Sequence, residues 1–168
     1  MQSNLSSLDL LDLAIQIEKN GRDYYDQAAK FVKAQKVKQV FEYISNDEQL
    51  HIAVFEEIIS KLEESSEPDP TTLSEYANYI LALVEENVFT KPKQGSEMSR
   101  TIRNDKHALE LALGFEKDSI LFYYEIKKMI NDTFHNEIDK LITQEQDHFK
   151  RISDVLKGFN KFGVSGMP

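Results

Sequence analysis

The chain has 168 residues, a formal charge of −9 and 40% apolar residues, enough for one domain with a sizeable core. The acidic balance disfavours nucleic acid and anionic membrane as partners, because both would repel it. The lack of any cysteine excludes disulfides, iron–sulfur clusters, thiolate zinc sites and a thiol nucleophile.

The start, MQSNLSSLDLLDL, has neither the basic residues nor the long apolar run of a secretory signal. No stretch approaches the ~20 apolar residues that span a bilayer, so a cytoplasmic protein is expected. Helix A is predicted over about 8–33, after the cap candidates Ser6 and Ser7, with Leu11, Ile15, Glu18 and Tyr25 on one stripe. Helix B, about 36–64, aligns Phe41, Ile44, Glu48, His51, Ile52 and Phe55. The stretch 65–104 contains Pro68, Pro70 and Pro92, which forbid one continuous helix, while 72–88 reads as a shorter helix of its own. Helix C, about 105–131, aligns Ala112, Leu113, Glu116, Ile120 and Tyr123. Helix D, about 133–159, aligns Ile138, Leu141, Glu145, His148, Phe149 and Ile152. The tail GFNKFGVSGMP reads as irregular.

A–B and C–D need only tight turns, so each pair is antiparallel. The 65–104 connection is long enough to cross the bundle. The expected fold is therefore all-α: one domain over 1–168, a four-helix bundle of two antiparallel pairs joined by a long crossover with a short extra helix, which is the ferritin-like arrangement.

One signature occurs twice. Glu18 is followed by Glu48 and His51 in DEQLH, and Glu116 by Glu145 and His148 in QEQDH. The flanking sequence repeats too, with AIQIEKNGRDYYDQA aligning on ALGFEKDSILFYYEI and Tyr25 on Tyr123. A Glu from each of two helices plus Glu-x-x-His from each of two others is the ligand set of dinuclear carboxylate sites. Each Glu sits in an apolar stripe, where an ionised carboxylate costs several kcal/mol unless a cation answers it. Charge closure is thus expected to require two divalent cations against four carboxylates. Oxygen and nitrogen donors without sulfur admit iron, manganese or zinc. Asp47 is a candidate acceptor for the second N–H of a histidine across the site, and Gln144 is its weaker counterpart in the second half. Tyr25 and Tyr123 face the ligands and are candidates for hydrogen-bonding a bridging carboxylate, with Tyr25 also a candidate proton donor.

GRDYYDQAA, DEQLH, GFEKDSILFYYEI and EQDHFKRI together resemble the rubrerythrin branch of the ferritin-like diiron proteins, over about residues 8–158. The resemblance implies two irons held by Glu18, Glu48, His51, Glu116, Glu145 and His148, reacting with hydrogen peroxide or dioxygen. Two departures matter. The cysteine-bearing electron module of full-length rubrerythrins has no counterpart here, so an external electron donor is expected. The family's additional glutamate, one turn before the helix C ligand, is Leu113, which leaves four glutamates and two histidines.

Three functions fit this reading: a diiron oxidoreductase working as a homodimer, a ferroxidase assembling into an iron-storage shell, and a bundle whose metal is not catalytic. His107 and His135 lack a Glu at matching spacing and read as surface residues, and Glu85-Glu86 as solvated acids of the crossover helix.

Overall fold

The computed structural model describes residues 5–64, 74–87 and 91–162. Six helices appear in order: α1 (Ser7–Phe31), α2 (Gln35–Glu64), α3 (Ser74–Asn87), α4 (Gln94–Ser99), α5 (Asp105–Lys127) and α6 (His135–Phe162). A 3-10 turn, Asp132–Phe134, precedes α6, and no strand occurs among the described residues. The long helices α1, α2, α5 and α6 pack as two antiparallel pairs, α1 on α2 and α5 on α6.

Local chemistry sets the boundaries. At the head of α1, Ser6 Oγ accepts from the Asp9 N–H at 3.1 Å and the Asp9 carboxylate accepts from the Ser6 N–H at 2.9 Å, a capping box. The turn into α2 is held from outside its own pair: the Asp105 carboxylate, at the start of α5, accepts from the N–H of Lys33 at 3.0 Å and of Ala34 at 2.6 Å. Asn104 caps α5 by accepting from the His107 N–H at 2.9 Å.

Three expectations are corrected here. Helix C was expected to reach Asn131, but α5 ends at Lys127, because Asn131 serves instead as the cap of the 3-10 turn, accepting from the Thr133 N–H at 2.9 Å. Residues 160–162, in the tail expected to be irregular, continue α6 beyond the expected end near 159. The crossover carries a second short helix, α4, beyond the one expected near 72–88.

That second helix lies against α1. A Cβ on Gly95 would stand 1.8 Å from the Asn20 carbonyl oxygen, so only glycine permits this approach. The buried Asn20 amide donates to the Lys91 carbonyl at 3.0 Å, and its oxygen accepts from the Gly95 N–H at 3.3 Å. α3 is fastened differently, by a hydrogen bond from the Tyr76 hydroxyl to the buried Glu125 carboxylate on α5. Pro68 and Pro70 lie outside the described residues, as do the side chains of Glu85 and Glu86.

The core falls into two apolar clusters. One contains Leu10, Leu11, Phe55, Phe122, Ile138 and Leu141, and the other Tyr24, Phe41, Ile44, Ala108, Leu109 and Ile152. Glu18, Glu48, His51, Glu145 and His148 fall between residues of the two clusters on their helices, and Glu116 directly follows Phe115 of the first cluster, which sets all six near mid-length in the bundle. The predicted stripes are otherwise buried, with three departures: Leu113 and Ile120 are half-buried, and Phe149 is exposed at the edge of the α6 stripe.

Candidate metal centre

Glu18 on α1, Glu48 and His51 on α2, Glu116 on α5, and Glu145 and His148 on α6 converge in the middle of the bundle, each at most 1% exposed. The Glu-x-x-His spacing works because residues three apart lie on one helix face, one turn from each other. Two groups of four donors result, each with its atoms within 4.8 Å of one another: Glu18, Glu48, His51 and Glu145, and Glu48, Glu116, Glu145 and His148. Glu48 and Glu145 belong to both groups, which makes them the natural bridges, while Glu18–His51 and Glu116–His148 each serve one side.

Distances show what these atoms are arranged to do. His51 Nδ1 lies 2.7 Å from Glu145 Oε1 and 3.4 Å from Glu18 Oε2. His148 Nδ1 lies 3.4 Å from Glu145 Oε2, 3.6 Å from Glu116 Oε2 and 3.7 Å from Glu48 Oε1. Yet Glu18 Oε2, Glu48 Oε1, His51 Nδ1, Glu116 Oε2, Glu145 Oε1 and His148 Nδ1 form no acceptable hydrogen bond. Buried polar atoms almost always find a partner, and water cannot reach these. Oxygen and nitrogen lone pairs that aim at shared points rather than at each other fit divalent cations.

In the metal-free state protons balance the site. Burial raises Glu48 well above the usual carboxylate range, reinforced by Glu18 and Glu145. Burial likewise raises Glu116 to about 8, with Glu145 adding to the shift. Burial alone would lower the histidines, but Glu18 and Glu145 hold His51 up at about 10, and Glu116 and Glu145 hold His148 up at about 11. Glu145 moves the other way: burial opposes its charge, but His51 and His148 pull it below the usual range. Imidazolium and neutral carboxyl groups thus offset part of the buried charge that metal would answer, so protons compete with metal for the site.

The tyrosines cross between halves. The Tyr25 hydroxyl donates to Glu116 Oε1, and the Tyr123 hydroxyl donates to Glu18 Oε1. Both therefore contact a ligand carboxylate, as their candidacy anticipated, and each holds one that belongs to a single donor group. Burial, then the facing carboxylates, push both phenols far above their ordinary value, so they remain donors. Asp47 Oδ2 lies 3.1 Å from His148 Nε2, across the site from its own helix. Gln144 is exposed, and His51 Nε2 has no hydrogen-bond partner, so Gln144 does not do for His51 what Asp47 does for His148. His107 is half-buried near the head of α5, and His135 sits at the head of α6 against Asp132 at 3.3 Å; neither joins the centre.

Gly21 was not anticipated. A Cβ there would meet the Phe115 ring at 2.7 Å and Glu48 Oε2 at 3.2 Å. Its absence lets the Phe115 wall and a shared carboxylate approach α1 together. The signal available in sequence was its place one turn after Glu18, on the ligand face.

The rubrerythrin family pattern matches residues 9–156 of the chain. Among solved structures, it resembles a protein from Thermotoga maritima described as ferritin-like and diiron-carboxylate, with 21% identity over 94% of this chain and 98% of that one, and a TM-score of 0.65. No curated protein matches at a comparable level.

Proposed function

The chain belongs to the rubrerythrin family, and from that premise we propose that it is a diiron oxidoreductase that reduces hydrogen peroxide or dioxygen with electrons from an external donor. One observation supports this most: two four-donor groups share Glu48 and Glu145 inside an apolar wall. Glu48 and Glu145 would each serve both ions of a pair, and such a pair would supply redox chemistry to a small oxidant. Iron, when bound, supplies one electron from each ion, matching the two needed to cleave an O–O bond.

The chain's own residues do the rest. Glu18 and His51 hold one position, Glu116 and His148 the other. Tyr123 and Tyr25 fix the outward oxygens of Glu18 and Glu116. Asp47 fixes the His148 ring. Phe55 and Phe115 are buried beside the ligand helices and exclude bulk water, so only a small molecule can reach the centre. Family membership favours iron, while the oxygen and nitrogen donors alone suit manganese and zinc as well. No described helix is long and apolar enough to cross a membrane. We assign the protein to the cytoplasm as a homodimer.

Anaerobic loading with ferrous iron followed by peroxide tests this directly. The expected result is uptake close to two irons per chain, then stoichiometric oxidation seen as near-ultraviolet oxo-bridge absorption. Failure to take up iron, or iron indifferent to peroxide, refutes the reading. Assembly into a large shell, read as sedimentation mass, would instead favour storage.

A further inference from the structure

The repeat that builds the centre does not extend to its surroundings. In the register that places Glu48 on Glu145, Asp47 corresponds to Gln144, Tyr43 to Lys140 and Arg151 to Val54. On the His148 side these residues form a stack. Asp47 Oδ2 is 3.1 Å from His148 Nε2, and the Asp47 carboxylate also faces the Tyr43 hydroxyl, which it pushes above its ordinary value. The Tyr43 ring meets the His148 ring edge-on, with centroids 6.1 Å apart. The Arg151 guanidinium lies 4.6 Å from the Tyr43 centroid and is itself paired with Asp147. His148 is therefore held both at its distal nitrogen and on its ring.

His51 has none of this. Its Nε2 is buried without a hydrogen-bond partner. Gln144 and Lys140 are exposed, an ammonium cannot accept an N–H, and Val54 offers no polar atom.

We propose that the two metal positions are unequal and fill in order: the Glu116–His148 position first and tightly, with Asp47 as its positioning residue, and the Glu18–His51 position second. The physical reason is general. An imidazole that ligates through one nitrogen gains orientation and basicity from an acceptor on the other. A ring without that acceptor must be ordered when the ion arrives and keeps a buried N–H unanswered. Loss of such an acceptor lowers metal affinity about 10–100-fold, which sets the expected gap between the two positions. The inference rests on the reading that these six residues hold a pair of divalent ions.

The test is anaerobic calorimetric titration of the metal-free full chain with manganese(II), followed in parallel by electron paramagnetic resonance. Two affinity classes of one ion each are expected, separated by about 10-fold or more. Up to one equivalent the spectrum should show the hyperfine pattern of an isolated ion, and beyond it the signal of an exchange-coupled pair. Asp47→Ala should weaken the first class about 10–100-fold, and Asp47→Asn, which keeps an acceptor oxygen, should recover part of the loss. Gln144→Asp, at an exposed position that folding tolerates, should tighten only the second class. His51→Ala should retain the tight class and His148→Ala should lose it.

A single affinity for both ions, a coupled-pair signal from the first addition, or loss of the tight class in His51→Ala would overturn the ordering while leaving the metal centre intact. No binding of either manganese or ferrous iron would remove the centre itself, and the ordering with it.

Discussion

Loading the centre with two divalent ions should expel protons, and their number follows from the site. At pH 7 the metal-free protein holds protons on His51, up at about 10, on His148, up at about 11, and on Glu116, up at about 8, while burial raises Glu48 above the usual carboxylate range. Glu145, pulled below that range, contributes none. Ligating nitrogens and oxygens must be deprotonated, so binding two ions at pH 7 should release at least about three protons, from His51, His148 and Glu116. Calorimetry in buffers of differing ionisation enthalpy measures this directly as the slope of apparent enthalpy. Raising the pH past 8 should reduce the number by about one as Glu116 loses its proton unaided. The same groups set the stability of the metal-free protein. Their folded-state pKa values are raised, so their stabilising contribution is full below the unfolded values, near 4.5 for the carboxyls and 6.5 for the histidines. It is lost as pH climbs through about 8 for Glu116 and about 10 for His51. Each unit of difference is worth ~1.4 kcal/mol, so the metal-free melting temperature should fall steadily from pH 6.5 to 10 while the gain on adding metal grows. Release of one proton or fewer at pH 7, or a metal-free melting temperature that rises over this interval, would refute the protonation scheme.

Because Glu48 and Glu145 face both donor groups, Glu48→Ala or Glu145→Ala should reduce bound metal to well below one ion per chain, while Glu18→Ala should retain close to one; elemental analysis after desalting distinguishes these. Gly21→Ala should push Phe115 and Glu48 away from α1, costing about 1–3 kcal/mol by overpacking despite alanine's better helix propensity. Chemical denaturation measures that cost, and an unchanged midpoint together with full metal content would count against the close approach. Asp105→Ala should leave the Lys33 and Ala34 N–H groups without their acceptor and destabilise the fold by about 1–3 kcal/mol, with metal stoichiometry unchanged in the protein that remains folded.

The six donors were legible in the sequence because their chemistry is local. Glu-x-x-His needs only helical periodicity to put two donors on one face, and its repetition with Glu18 and Glu116 at matching distance supplied the rest. Their division into two groups sharing Glu48 and Glu145 was not legible, since it depends on how four helices meet. Asp47 could be named in advance from its place beside Glu48, but its mirror position failed, because the outward course of Gln144 is set by surroundings that the repeat does not copy. Tyr25 was placed on the correct face, but its partner Glu116 could not be named in advance, since it comes from the other helix pair. α4 escaped notice because its anchor is a backbone contact, Gly95 on Asn20, which no periodicity reports. The early end of α5 turned on Asn131 preferring a cap to a helix interior, a choice between two plausible uses of one side chain.

The shared carboxylates have a consequence for how tightly cargo and scaffold are tied together. Each hairpin supplies three of the donors in its own group and must borrow the fourth from the opposite hairpin. Parting the hairpins removes one donor from each position in the same event, which weakens both together. Release of the tighter ion should then proceed at the rate of bundle opening, and a chelator removing it would act as a clock for the slowest breathing motion of the protein.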